Sequence, residues 1–373
     1  MLCNMQTVCS NKQILFNHLF KNNNNTRSSF KNCRFNGFMS SKKAHEVTVL
    51  NEISCLLYDT GYVTHFVDIG DGKGYLSSLL ALNNQIQVLG IDSSHTKTQS
   101  SVHRTNLLER KWNGFIKDQT KRKMPENKKK TLYKQVTHFV TENTDFEKLV
   151  LDNLSSDTSK VGLLGLHTCG NLGASSIKIF IKNPKMSALC NVSCCYHFLT
   201  ENDENNLEEY YFPLSKFLSE KNFKLGRNAR MLAAQSLERI LHKSEEPNTT
   251  NFYRAILQVF LKKHNFRHFN IGRIKSKCCS FEEYARTALK KTNLNISDNE
   301  LRSMYELYEG DQNAFIAFYL LRCYLAPAIE SLILLDRLMY LNENGIKESY
   351  LVQLFDPIMS PRCYGLVALK KIG

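Results

Sequence analysis

The chain has no Cys-x-x-C pair, no acidic residue before Glu46, no G-x-G-x-x-G dinucleotide fingerprint, and no uninterrupted apolar run near the ~20 residues of a membrane span. Each absence excludes something. Without spaced cysteine pairs, the usual ligand layout of a structural zinc site is missing, although there are twelve cysteines to build one. Cys194-Cys195 and Cys278-Cys279 are adjacent, and neighbours rarely bridge; several other cysteines sit in apolar runs. That usage reads as free thiols in a reducing compartment. No secretory signal with an apolar core and a small-residue cleavage site is visible. The strongest apolar candidate, Ala326 to Leu341, is broken by Glu330, Asp336 and Arg337 and reads as an amphipathic helix, so no membrane span is expected. The expected location is intracellular, cytoplasmic or nuclear. The acid-free, Ser- and Arg-containing start also permits a mitochondrial transit peptide, but its Arg content is low, and a disordered tail over residues 1–38 is the stronger reading.

A length of 373 residues allows one large α/β domain or two small ones, and 42% apolar with 23% charged residues is ordinary for a globular chain. The formal charge of +14 favours a polyanion such as RNA as partner. Part of that excess sits in the N-terminal tail and in a lysine-rich surface insertion, about 114–134, which is either an RNA contact or a solvated loop.

The most informative stretch is Phe66-Val67-Asp68-Ile69-Gly70-Asp71-Gly72-Lys73-Gly74-Tyr75-Leu76. It reads as a buried strand, a glycine turn and the start of a helix. Glycines at alternate positions let the backbone turn sharply and approach a ligand. About eighteen residues past Gly74, the run Val88-Leu89-Gly90-Ile91 ends in Asp92, a distance that fits one helix and a return to the neighbouring parallel strand. A carboxylate there can take both hydroxyls of a ribose. This D-x-G-x-G-x-G pattern with an acidic end to the next strand resembles the S-adenosylmethionine-dependent methyltransferases. The resemblance implies Asp68, Gly70, Asp71, Gly72, Gly74 and Asp92 as cofactor-binding residues. It adds Asn143, which follows a third strand over Gln135–Val140 where such enzymes contact adenine.

The remaining chain fits that frame. A helix with Val47, Leu50, Ile53, Leu56 and Leu57 at helical spacing precedes the first strand, capped by Ser40 or Ser41, with Lys42, Lys43 and His45 facing either ligand or solvent. Val161 to Leu166 is a continuous apolar run suited to a central parallel strand, and Ala188 to Val192 follows after another helix. Polar residues stand at the C-terminal ends of the strands, where open α/β sheets bind ligands. From about 207 to 322 the period is mostly helical, which predicts an inserted helical region. Tyr350–Phe355 and Tyr364–Leu369 then predict an antiparallel terminal hairpin.

Six segments carry a more specific likeness: Met39 to Glu46, Val67 to Gly74, Gly165-Leu-His-Thr-Cys-Gly-Asn-Leu172, Val192-Ser-Cys-Cys-Tyr196, Tyr211 to Ser215, and Leu354 to Cys363. Together, from about residue 38 to the end, they resemble the methyltransferase-like protein 25 family. The resemblance implies a Rossmann-like class I methyltransferase sheet, mostly parallel with a C-terminal antiparallel hairpin, strand order 3-2-1-4-5-7-6, and S-adenosyl-L-methionine as cofactor. On this reading 39–373 is the methyltransferase domain. Relatives often carry a long helical N-terminal region where this chain has a short front end, which reads as either a truncated sequence or a reduced family member, and they commonly have Asp where Asn171 stands.

Methyl transfer from a sulfonium is an in-line displacement, dominated by positioning. The catalytic candidates are His167, Tyr196 and Cys194. His167 is either the base or a loop hydrogen-bonding residue; Tyr196 either stacks on substrate or only packs. Ser193-Cys194-Cys195-Tyr196 follows the fifth strand and lacks the Asn and prolines of the adenine-N6 motif, which argues against adenine dimethylation. A distant likeness to transfer RNA 2′-O-methyltransferases, with their His-Leu-Cys-Gly and Cys-Cys-His-His segments, favours an RNA hydroxyl over protein. A non-catalytic binding module and a protein methyltransferase are the alternatives. Because adjacent strands lie ~4.8 Å apart, Cys169, Cys194 and Cys195, with His167 and His197, could converge on a metal. The other reading is buried thiols used as small apolar residues.

Overall fold

The computed structural model describes residues 8–9, 39–115, 132–154, 160–201, 210–243, 249–266, 271, 274, 278–290, 294 and 296–370. The basic segment 116–131 and most of the N-terminal tail lie outside the described residues.

Two compact units are present, residues 1–235 with 327–373, and residues 236–326. The first is built on seven strands: β1 (His65–Ile69), β2 (Val88–Asp92), β3 (Tyr133–Thr137), β4 (Val161–Cys169), β5 (Met186–Cys194), β6 (Glu348–Gln353) and β7 (Tyr364–Leu369). Their order across the sheet is 3-2-1-4-5-7-6. The first five are parallel, and β7 lies antiparallel between β5 and β6. This is the Rossmann-like class I methyltransferase sheet. Val8–Cys9 adds a short parallel pairing outside β6. Strands β1 and β2 are buried along their whole length, and β5 likewise, which explains their unbroken apolar sequence. The third strand sits two residues earlier than the sequence predicted. Pairing with β2 fixes it, from Val88 opposite Tyr133 to Asp92 opposite Thr137.

Four helices join the first five strands: α2 (Tyr75–Asn84), α3 (His95–Phe115), α4 (Phe146–Leu154) and α5 (Asn171–Lys182); helix α1 (Ser41–Asp59) precedes β1. Ser40 caps α1 by accepting from the Lys43 amide at 3.3 Å. One core lies over one sheet face, with Leu50, Ile53, Leu79, Val88, Val192 and Phe355. A second lies over the other, with Ile69, Leu89, Leu163, Ile177, Phe180 and Leu338. Each such aliphatic side chain, fully buried, contributes about 1.5–3 kcal/mol.

The unit 236–326 is helical, with α6 (Thr249–Lys263), α7 (Phe281–Leu289) and α8 (Asp298–Tyr308). Its core gathers Phe252, Ile256, Leu257, Phe281, Tyr284 and Leu301. A capping box between Ser297 and Glu300 starts α8. The sequence placed the helical region more widely, over 207–322; Lys216–Ser219 and Gly226–Leu232 belong instead to the sheet unit.

Helix α9 spans Gln312–Glu343 with Pro327 inside it, fourteen residues earlier in the chain than the predicted start at Ala326. The helical stretch Asp298–Glu343 is therefore long and apolar enough, by length and composition alone, to cross a membrane, with a mean hydropathy of 1.5 over its best window. The core helix of a soluble protein meets the same requirement. Past Pro327, α9 buries Ile333, Leu334, Leu338 and Leu341 in the sheet unit.

Candidate functional site

The glycine turn leaves β1 and is tied at once to β2: the amides of Gly70 and Asp71 donate to the Ile91 carbonyl at 2.8 and 3.2 Å. Gly70, Gly72 and Gly74 all have positive φ. At Gly74 no other residue fits, because a Cβ would sit 2.1 Å from Tyr133 Oη and 2.2 Å from Ser101 Oγ. The Gly72 amide donates to Asp92 Oδ2 at 3.1 Å, so the turn and the carboxylate of the next strand meet. Asp92 Oδ1 accepts from the Ser94 amide at 2.8 Å, and Lys97 Nζ lies 3.5 Å from Oδ2. A carboxylate has about four acceptor sites, so Asp92 keeps capacity for a ribose hydroxyl.

Asp68 is buried at the end of β1. Its Oδ2 accepts from Ser77 Oγ at 3.0 Å, and its Oδ1 is sealed from water with no hydrogen-bond partner among the described residues. Ser77 Oγ also lies 2.7 Å from Asp71 Oδ1, and one hydroxyl proton cannot serve both carboxyls. Burial pushes Asp68 well above the ordinary carboxylate range, and the Asp71 charge adds to the rise. Burial raises Asp71 too, against hydrogen bonds from Tyr133 and Ser77. The Tyr133 hydroxyl donates to Asp71 Oδ2. Asp71 therefore anchors the turn from within, whereas Asp68 Oδ1 is buried without a hydrogen-bond partner among the described residues. Asn143 is exposed after β3, where the His138 amide donates to the Asp92 carbonyl at 3.1 Å and sets the two strand ends side by side.

The residue that the sequence did not single out is Glu46. It lies on α1, fully buried, and its Oε2 is 2.9 Å from His167 Nε2. Ser360 Oγ donates to its Oε1 at 2.7 Å, and Lys42 and Lys43 approach at 3.5 and 3.2 Å. Burial alone would raise this carboxyl, but the hydrogen bond and charge of His167, with Lys43 and Ser360, outweigh it and hold Glu46 at about 2. Asp68 pairs with Leu164, which sets the end of β4, where His167 lies, beside the end of β1 and its glycine turn. His167 is one-quarter exposed. It has φ +66 and is the extra residue of a bulge in β4, between Leu166 opposite Val192 and Thr168 opposite Ser193. Such a backbone costs a non-glycine residue about 1–3 kcal/mol and is kept where the surroundings enforce it. His45, read from the sequence as facing either ligand or solvent, accepts from the Asp356 amide at 3.0 Å and packs against Phe355.

Tyr196 does not face substrate. It is 1% exposed, its hydroxyl donates to Glu330 Oε1 at 2.9 Å, and Arg362 Nη1 reaches the same oxygen at 3.1 Å. Packing, the other reading of Tyr196, describes its place. The left-handed conformation of Cys195, φ +51, turns the chain so that Tyr196 enters the interior. Asn171 accepts from the Thr200 amide at 2.9 Å and so ties the start of α5 to the loop after β5. The sulfurs of Cys169, Cys194 and Cys195 all lie within 4.8 Å of one another, those of Cys169 and Cys194 at 3.2 Å. The hydrogen bond with Cys194 is the main reason the Cys169 thiol falls to about 6, whereas Cys194 is pushed up by that same contact and by burial. Without a metal, Cys194 thus holds its proton and is unsuited to act as a base or nucleophile. His197 is held apart from this cluster, near Arg227 and Arg230.

A family profile described as a methyltransferase domain matches residues 42–202. The protein named "Probable methyltransferase-like protein 25" of Mus musculus is 30% identical over 90% of this chain and 76% of its own length. Its Homo sapiens counterpart is also 30% identical, over 90% and 75%. Among solved structures, the methyltransferase domain of a bacterial Hen1 protein matches over 39% of this chain and 65% of its own, at 12% identity and a TM-score of 0.26, too loose for any argument to rest on.

Proposed function

The chain belongs to the methyltransferase-like protein 25 family, and from that premise we propose that it is an S-adenosylmethionine-dependent methyltransferase acting on a hydroxyl, of RNA in preference to protein. The observation that carries the proposal is the buried Glu46 carboxylate paired with His167 at the end of β4, beside the glycine turn. A module that kept the fold only for binding would not need an ionised acid buried against an imidazole there.

S-adenosylmethionine, when bound, supplies an electrophilic methyl group. The residues that would hold it are Asp92, for the ribose, the Gly70–Gly74 turn and Asp68. Glu46, ionised above about pH 2, accepts from Nε2 of His167. That fixes the ring proton on Nε2 and leaves the lone pair on Nδ1. Nδ1 is then the atom that takes the acceptor's proton, and Glu46 stabilises the imidazolium that forms, a contribution of about 10²–10⁴ in rate for general bases of this kind. A protonated acceptor such as a hydroxyl gives this base a task. The formal charge of +14 supports a polyanionic acceptor.

Calorimetry of the full chain with S-adenosylhomocysteine tests the cofactor. Binding is expected, and Asp92→Ala should weaken it about 10- to 100-fold, the worth of hydrogen bonds to a charged group. A folded wild-type chain that binds none leaves only the binding-module reading. Transfer of tritiated methyl to total RNA and to lysate protein tests the acceptor; label confined to protein would overturn the choice of RNA.

A further inference from the structure

We propose that Cys169, Cys194 and Cys195 bind one zinc ion, with the fourth coordination position turned to solvent on the Cys169 side. Nothing in the methyl-transfer reading uses these thiols, yet the backbone is bent twice to bring them together. Cys194 and Cys195 are consecutive, and consecutive side chains of a strand point to opposite faces. The left-handed φ of +51 at Cys195 breaks that alternation, and its sulfur returns to within 4.8 Å of the other two. On the neighbouring strand, the bulge at His167 shifts the register by one residue, so that Cys169 falls directly opposite Cys194. Both departures from regular strand geometry fall on non-glycine residues, and a pair of buried thiols serving only as small apolar groups would require neither.

The spacing suits zinc. With Zn–S bonds of about 2.3 Å in a tetrahedron, two sulfurs are about 3.8 Å apart. The observed separations, 3.2 Å for Cys169–Cys194 and at most 4.8 Å for any pair, bracket that value. They are well beyond the roughly 2.05 Å of a disulfide. Access is graded in the right sense for an open site, with Cys194 buried, Cys195 half-buried and Cys169 exposed. Three thiolates on a divalent ion leave one negative charge. Lys97 acts on Cys169, Arg362 on Cys195 and Arg337 on Cys194, a positive surrounding that favours the anionic cluster.

The test is metal analysis of the untagged full chain, purified in reducing buffer without chelator, together with titration of the metal-free protein with Co²⁺. One zinc per chain and thiolate-to-cobalt charge-transfer absorption are expected. Cys169→Ser, Cys194→Ser and Cys195→Ser should each weaken the metal at least about tenfold, the smallest loss typical even of a ligand's outer partners. Cys190→Ser, on the same strand but outside the cluster, should not. Three outcomes would overturn the proposal: no metal with all three thiols freely alkylated, a Cys169–Cys194 disulfide in chains alkylated at lysis, or undiminished zinc in the serine variants. If those variants do not fold, the wild-type zinc content and cobalt spectrum decide alone. The result is separate from cofactor binding, since calorimetry with S-adenosylhomocysteine can succeed or fail independently of either metal readout.

Discussion

Replacing Glu46 by Gln removes a charge and little else. The amide can still meet His167 and Ser360, so the change isolates the ionic part of the contact. Glu46 is held at about 2, against 4.5 for a free glutamate. At about 1.36 kcal/mol per pH unit, that difference stabilises the folded chain by about 3 kcal/mol once the carboxyl is ionised in both states. The direction follows from the lowered value: the contribution is complete above pH 4.5 and is lost as pH falls from there towards 2, because the unfolded chain takes up the proton first. Glu46→Gln should therefore lower stability at pH 7 by about 2–3 kcal/mol and should lack this component of acid destabilisation. With a urea slope of about 3 kcal/mol/M, the midpoint falls by about 1 M. Urea unfolding followed by circular dichroism reads the midpoint. A variant with the wild-type urea midpoint at pH 7, or with the wild-type decline between pH 4.5 and 2, would refute the assignment of an ionised, buried Glu46.

Two further substitutions separate structure from site. Tyr196→Phe leaves the buried Glu330 without the hydroxyl it accepts from, and should cost about 1–3 kcal/mol in denaturant unfolding while leaving affinity for S-adenosylhomocysteine unchanged; weakened binding in a folded variant would return Tyr196 to the pocket. Gly90→Ala places a Cβ 2.3 Å from Asp71 Oδ2, which must displace Asp71 and with it the glycine turn. The expected result is a loss of about 1–3 kcal/mol together with weaker cofactor binding. Unchanged affinity by calorimetry would show that the inner face of the turn does not control the outer one.

The sheet was legible because its strands are buried on both faces and so carry unbroken apolar sequence, and because the polar residues at their ends stand out against it. The helical boundaries were less so. Pro327 sits inside α9, where a start near Ala326 was the natural reading, and tertiary packing carries the helix through it. In the site, Asp68 and Asp92 were readable from position alone, since a carboxylate at the end of a buried apolar strand is costly to keep unless it meets a partner or a ligand. Asp71 was not, because the turn of its side chain toward Tyr133 depends on a strand that begins sixty-two residues later. Glu46 was missed for the same reason of distance, its partner being 121 residues away. A local sign existed all the same: residues 46, 50, 53 and 57 share one face of α1, and the acid interrupts an otherwise apolar stripe. The convergence of the three cysteines was readable from strand spacing; for Tyr196 everything turned on the left-handed backbone at Cys195, which no residue-type preference announces.

Glu46 is also hydrogen-bonded to Ser360, 314 residues further along the chain. A ribosome makes the acid 314 residues before the serine. Until the closing hairpin has emerged, the nascent polypeptide lacks one of the groups that shelter this carboxylate. A product stopped before that hairpin would leave the buried carboxylate without this donor.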